Sequence, residues 1–475
     1  MPFARILRSS ALMGGAQVVV LAAGFIRAKA IAVILGASGV GLIGIFNAFS
    51  GNVSSFAGWG LGTSGVRLIA GAPEEEKPAK VAAVRRMGWT LSLLGLALAL
   101  ILFWPVGSVT FASTQYAVEM AIVALAVPCV IASSAWSAVL QASGKIASLA
   151  KVQVAGALTG LLLGLPAIWL WGTIGIAVSI FLAAAVPAIV LWRAARAACP
   201  LVIGATVVQA DLKKLVKLGG AFMIIGWLGQ FSGYAVRLVI VRHEGLEAAG
   251  YYQAAFAISG SLPGFIFAAM GADFFPRVAA AKDDIEAIGI VEKQVQAGLI
   301  LGVPLIALLL LFGKTAIWLL YANGLDPAAL LLPWMVWAVF IRILSWPLGF
   351  WLIAKGEPGL VIIVETFACA VLVSASWILL DGFGVEGVAI ASFASGVLYL
   401  CALIFIAYKK AGKSFGFQTW SGVLVATFLL LIGQVLALIH AHPAILAAYG
   451  FTLVGLSTWA CFKSISLQSA KKHGQ

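Results

Sequence analysis

The chain has 475 residues, of which 63% are hydrophobic and only 10% charged, and its mean hydropathy is +1.09. Soluble domains carry about 25% charged residues, so this composition excludes a soluble fold and marks a membrane protein. The net charge of +13 comes from basic residues spread between apolar runs, not gathered in one patch, which argues against a nucleic-acid partner.

Arg5 and Arg8 precede an apolar run from Ala11, and Ala28–Lys29–Ala30 superficially resembles a signal-peptidase site. The lysine at that site and the length of the run favour an uncleaved first span. Runs long enough to cross about 30 Å of hydrocarbon follow one another to the C-terminus. We place them at 11–35, 40–66, 87–108, 117–141, 148–171, 173–193, 215–241, 250–272, 295–313, 328–353, 359–380, 384–407, 420–440 and 444–463. Trp171–Gly172–Thr173 is the short turn between the fifth and sixth. The expected fold is therefore an all-α polytopic membrane protein of about 14 transmembrane helices. Its longest connections, 67–86, 194–214 and 273–294, leave no room for a soluble domain.

With the N-terminus inside, 24 of the 30 Lys and Arg residues, from Arg5 to Lys472, fall on the inner side, and Arg242 and Lys314 fall outside. That asymmetry orients the chain with both termini cytoplasmic. Cys129, Cys369, Cys401 and Cys461 lie in spans and Cys199 in a loop, so the five cysteines suggest no disulfide framework.

The chain also repeats itself. Gly36-x4-Gly41 matches Gly245-x4-Gly250 at an offset of 209, Gly144–Lys145 matches Gly356–Glu357 at 212, and Gly172-x-x-Gly175 matches Gly384-x-x-Gly387 at 212. Three matches in order suggest two six-helix bundles in parallel orientation, residues 1–200 and 201–412. Residues 413–475 would add two further helices and a tail. Parallel bundles favour a transporter.

Lys151, Arg193, Lys217 and Lys463 sit at the inner ends of their spans, and Arg27, Lys29, Arg237 and Arg342 are the basic residues left within spans away from that side. A guanidinium near mid-membrane costs at least about 2.5–3.5 kcal/mol, so Arg342, central in its helix, is the leading candidate for a cationic cavity. Arg27 and Arg237 stand on equivalent helices of the two repeats, one residue out of register. The alternatives are snorkelling for Arg237 and an internal pair with Glu365 for Arg342. Gln230, Tyr234 and Arg237 share one helical face. Asn47, Ser50, Ser54, Gly58 and Gly62 form a stripe on the second span that suits either a wet cavity wall or a close helix contact. Gln253 has the same two readings. Glu365, which aligns with Gln153 in the first repeat, is the ion-coupling candidate, while Glu119 and Asp273 near span ends read as solvated. No nucleotide loop, zinc spacing or nucleophile elbow occurs, and the four histidines (His243, His440, His442, His473) lie in loops or the tail. No catalytic residue, cofactor or metal is expected.

The stretch Phe25–Gly71, with its basic residue in the first span, glycine turn and polar second span, resembles the opening of Wzx-type polysaccharide flippases. These belong to the multidrug/oligosaccharidyl-lipid/polysaccharide (MOP) superfamily. The similarity continues at Ala249–Gln253 through Phe275–Pro276–Arg277 and from Trp334 through GFWLIAKG to Glu365, and it spans roughly residues 5–410. It is nearest to the O-antigen and enterobacterial-common-antigen branch. The resemblance implies a central cationic cavity and a non-enzymatic role. It also implies a substrate of undecaprenyl-pyrophosphate-linked oligosaccharide, moved across the bacterial inner membrane for lipopolysaccharide or related biosynthesis. Membrane lipid and a polysaccharide polymerase with its chain-length regulator are the implied partners. That branch has twelve spans, whereas related lipid II flippases have fourteen but carry a different pattern after the first glycine turn, where LIGIFNAF stands here. A lipid II flippase is thus the second reading and a multidrug or cation antiporter the third. A membrane-embedded polymerase or ligase is the competing class.

Overall fold

The computed structural model describes residues 2–199, 209–321, 324–439, 442 and 444–457. His440, His473, Cys461 and Lys472 lie outside the described residues, as do the side chains of Arg5, Arg8 and Asp273. All regular structure among the described residues is helical: α1 (Pro2–Ala57), α2 (Leu61–Ala70), α3 (Lys77–Phe111), α4 (Ala117–Ala124), α5 (Ala126–Ala142), α6 (Ile146–Leu162), α7 (Gly164–Ala198), α8 (Gln209–Ala279), α9 (Asp284–Leu320), α10 (Ala328–Ala354), α11 (Pro358–Ala411) and α12 (Phe417–Leu438). A shorter helix, α13 (Ala444–Ser457), follows. The all-α expectation holds, as it must where hydrocarbon leaves no solvent to satisfy backbone amides outside helices or closed barrels.

Nine helices among the described residues are long and apolar enough to cross a membrane. Four of them contain one glycine outside helical geometry: Gly36 (φ 67°, ψ −164°), Gly172 (φ 57°, ψ −121°), Gly245 (φ 85°, ψ −177°) and Gly384 (φ 55°, ψ −146°). A side chain there would cost about 1–3 kcal/mol, and glycine reverses the helix with the loss of a single residue's regular bonding. These are the glycines paired by the sequence offsets. Gly144 and Gly356, the third pair, share positive φ as well, at 68° and 80°.

The paired turns also make matching contacts. A Cβ on Gly175 would lie 2.1 Å from the Ala167 carbonyl oxygen, and one on Gly387 would lie 2.4 Å from that of Leu379. Ala167 and Leu379 are themselves 212 residues apart. The first pair of turns exchanges contacts: Gly41 closes on the Leu246 carbonyl and Gly250 on that of Ala37, with 2.4 and 2.0 Å left for a Cβ.

Three expected runs are divided, the fourth run at Leu125 between α4 and α5. The second run was expected to continue to 66, but α1 ends at Ala57, and Trp59 and Gly60 take positive φ of 49° and 59° before α2 begins. The Trp59 indole N–H donates to the Val216 carbonyl at 3.0 Å, which ties this break to α8. The fifth run divides at Leu163 between α6 and α7.

The chain forms two compact units, Met1–Gly250 with Leu320–Gly324, and Tyr251–Leu319 with Leu325–Gln475. In the first, glycines on α3 bring helices close: a Cβ on Gly88 would lie 2.6 Å from Ala135 and one on Gly95 2.4 Å from Ile131, both on α5. Such close approach is how helices gain packing energy where lipid offers no hydrophobic difference. The N-terminal ends of α3 and α8 are joined by Lys80, whose ammonium lies 3.0 Å from both Asp211 and Glu76. In the second unit, α12 packs on α9 and α10 through Gln296–Thr419 (3.0 Å) and Trp337–Gln434 (2.6 Å). The Tyr449 hydroxyl of α13 donates to the Leu429 carbonyl of α12 at 2.6 Å.

Gly250→Ala should sharply lower the yield of folded protein, because its Cβ would meet backbone. Gly229→Ala, on the same helix with nothing within 4 Å, should be neutral or gain up to about 1 kcal/mol from helix propensity. Thermal midpoints of the purified variants by size-exclusion chromatography check the contrast.

Candidate functional site

The reversal at Gly384 folds α11 back on itself, so that Ala368 and Glu365 before the turn face Ser395 and Tyr399 after it. The hairpin is stitched by Ser395 Oγ, donating to the Ala368 carbonyl (2.8 Å), and by the Tyr399 hydroxyl, donating to Glu365 Oε1 (2.9 Å). Helix α10 lies against this hairpin where glycines admit it: a Cβ on Gly349 would sit 3.3 Å from the Tyr399 hydroxyl and one on Gly396 3.5 Å from Ile341.

That approach brings Arg342 to the pair. Its Nη1 lies 3.7 Å from Glu365 Oε1, and its guanidinium carbon stands 5.5 Å above the Tyr399 ring. A separation of 3.7 Å is an electrostatic contact beyond hydrogen-bond range. Arg342 is therefore oriented by charge and by the aromatic face, with its N–H donors unspent on Glu365. Its side chain is 48% exposed, against 19% for Glu365. Where that exposed part faces water, screening leaves such a pair worth about 0–1 kcal/mol. Two charge-assisted hydrogen bonds to an oxyanion, at about 1.5–3 kcal/mol each, would exceed it.

The cluster has no counterpart in the first repeat. At the offset of 212, Glu365 corresponds to Gln153, Tyr399 to Pro187 and Arg342 to Val130. Tyr399 is the residue the sequence reading missed. It lies 34 residues beyond Glu365, and only the hairpin, not helical spacing, brings the two together.

The remaining candidates divide between the units. In the first, Arg27 is half-buried on α1, with Nη1 3.1 Å from where a Cβ on Gly160 of α6 would stand. The glycine makes room for the guanidinium, which has no hydrogen bond or ion pair with a described residue. Lys29, two residues on, is exposed. Arg237 is buried, and its Nη1 donates to the Gly233 carbonyl one turn back at 2.7 Å. Of the residues on its helix face, Tyr234 bonds Thr110 of α3, while Gln230 is exposed and lies 3.4 Å from a Cβ position on Gly51. Along the second-span stripe, Asn47 is exposed, whereas Ser50 and Ser54 are buried and the Ser54 hydroxyl has no hydrogen-bond partner among the described residues. Gly58 and Gly62 serve close packing, against the Ser54 carbonyl and the Ser134 hydroxyl. Gln253 is half-buried in the second unit.

One expectation is corrected. Glu119 is not solvated: it is 5% exposed and accepts a 2.6 Å hydrogen bond from Thr173 beside the Gly172 turn. A carboxylate near a span end finds a partner more readily in a folded turn than in the interface, which span position alone does not reveal.

Glu365→Gln keeps an oxygen for the Tyr399 hydroxyl and should leave thermal stability within about 1 kcal/mol. Glu365→Leu strands that hydroxyl, in a residue only 5% exposed, and should cost about 1–3 kcal/mol. Unfolding of the two purified variants in detergent measures the difference.

A family model described as "Polysaccharide biosynthesis protein" matches residues 6–282, more than half of the chain. No curated protein matches it in sequence. Among solved structures, "Lipid II flippase MurJ, inward closed conformation" is similar with a TM-score of 0.73 at 13% identity, covering 97% of this chain and 99% of that one. A MATE family multidrug resistance transporter in its inward-facing conformation, described as a member of the MOP superfamily, gives 0.67 at 14% identity over 85% and 96%. The fold is thus shared with MATE transporters and MurJ, and the chain belongs to the family whose model is described as "Polysaccharide biosynthesis protein".

Proposed function

We propose that the protein is a flippase that moves undecaprenyl-pyrophosphate-linked oligosaccharide units from the cytoplasmic to the periplasmic leaflet of the bacterial inner membrane, for O-antigen or related surface polysaccharide. The observation that carries this reading is Arg342, a guanidinium in an apolar helix, steered by Glu365 and Tyr399 without being hydrogen-bonded by them. A pyrophosphate suits such a group, because its oxygens accept the planar donor fork in bidentate fashion. The family description and the shared fold support polysaccharide export over a polymerase or ligase. The Lys and Arg bias supports cytoplasmic termini.

In this reading the headgroup enters from the cytoplasmic side, and Arg27, Lys29, Arg237 and Arg342 receive its negative charge. Asn47, Ser54, Gln230 and Gln253 meet the sugars. Transport proceeds by alternating access in a chain of fourteen spans built as two six-helix bundles with two added helices. Glu365 is the internal rival of the substrate for Arg342, so binding and release of the pyrophosphate would break and remake that pair. This makes Glu365 the candidate for ion coupling. A polysaccharide polymerase and its chain-length regulator would take the product.

A second reading, lipid II transport, is favoured by one observation: the similarity to MurJ extends over 97% of this chain, including the C-terminal helices, against 85% for the MATE transporter.

Arg342→Ala should reduce surface polysaccharide at least tenfold in a strain lacking the native gene, with membrane insertion unchanged by immunoblot. Full complementation would remove Arg342 from the mechanism. Glu365→Gln should abolish dependence of transport on the proton or sodium gradient, read by ionophore titration. If instead the gene sustains cells depleted of their lipid II flippase while surface polysaccharide is indifferent to it, the second reading replaces the first.

A further inference from the structure

The first unit contains a second basic site that the proposed transport cycle does not use. At one end of the bundle, α3, α5 and α7 enclose a cavity of about 310 Å³ lined by Ala82, Arg85, Arg86, Trp89, Trp136, Trp192 and Arg196. Three guanidiniums and three indoles line it, with no carboxylate among them.

Two of the arginines are held in place. Arg85 is 6% exposed, and its Nη2 donates to the carbonyls of Ala195 (3.0 Å) and Cys199 (2.6 Å) at the C-terminal end of α7, where the helix dipole favours a cation. Its guanidinium carbon lies 5.5 Å over the Trp136 ring, which in turn meets Trp89 edge-on at 6.3 Å. Its Nε is buried with no hydrogen-bond partner among the described residues. Arg196 stands 4.9 Å over Trp192. Arg86 and Arg196 are exposed at the cavity wall. Three like charges converge here with no carboxylate in the described lining, and their mutual repulsion would be relieved by a bound anion.

The surroundings say which anion. From Trp89, 54% exposed at the cavity, the outer face of α3 continues as Leu93 (64%), Leu100 (44%) and Trp104 (53%) along one helical stripe. A basic, tryptophan-rich pocket at the end of an exposed apolar stripe matches a lipid in both its parts, phosphate in the pocket and acyl chain along the helix. We propose that this cavity binds the phosphate headgroup of an anionic phospholipid of the surrounding leaflet, as a site separate from that of the transported substrate.

The test is a native mass-spectrometry titration of the detergent-purified full chain with phosphatidylglycerol and with phosphatidylcholine. The proposal expects preferential retention of phosphatidylglycerol, reduced about tenfold in Arg86→Gln/Arg196→Gln, with phosphatidylcholine unaffected and the thermal midpoint unchanged. Each single substitution, Arg86→Gln and Arg196→Gln, should give a partial loss, which keeps the test decisive if the double variant fails to fold. Inorganic phosphate in millimolar excess should not displace the lipid. Phosphatidylglycerol retention equal to that of the native chain in all three variants would overturn the proposal. Displacement by inorganic phosphate would overturn its lipid assignment in favour of a free-anion site.

Discussion

A chain crossing hydrocarbon must keep its backbone hydrogen-bonded wherever it turns, and this constraint organises the molecule. Glycines in a positive-φ conformation redirect α1, α7, α8 and α11 within single residues, and in α7 and α11 the segments on either side of the turn then contact one another. Because the turns recur at offsets of 209 and 212, their local contacts recur too, down to the carbonyl that each following glycine must clear. The same device creates the polar cluster. Without the reversal at Gly384, Glu365 and Tyr399 would lie about 50 Å apart along one helix at 1.5 Å per residue. With it they share a hydrogen bond, and α10 delivers Arg342 beside them.

The cluster is balanced rather than closed. Tyr399 satisfies Glu365, whereas Glu365 attracts Arg342 without capturing its donors. A fully hydrogen-bonded buried pair would be costly to open, since removing one partner leaves an uncompensated charge worth several kcal/mol. A half-exposed, unbonded pair opens cheaply, and an incoming anion supplies the replacement. Arg27 is the complementary case in the other unit: a half-buried guanidinium beside a glycine and without a described counter-ion.

The membrane class, the helical turns and the residues Arg342 and Glu365 were legible in the sequence. Composition, glycine spacing and charge inside an apolar run each reflect a local physical requirement. What was not legible depends on tertiary proximity. Tyr399 carries no local signal of its role, because only the fold of α11 brings it to Glu365. Glu119 looks solvated until the turn at Gly172 places Thr173 against it. The break at Trp59 is hidden because a tryptophan in the left-handed region is tolerated only when held, here by its hydrogen bond to Val216. The second-span stripe read as one surface, yet it divides into an exposed Asn47, buried serines and packing glycines, since helical periodicity fixes a face but not what covers it.

The central claim is that Arg342 exchanges Glu365 for a lipid pyrophosphate. Its most direct measurement is the affinity of the purified protein for undecaprenyl pyrophosphate in the native chain, in Arg342→Ala and in Glu365→Gln. The account predicts binding at least tenfold weaker in Arg342→Ala and tighter than native in Glu365→Gln, where the internal rival is gone. Equal affinity in all three would contradict it.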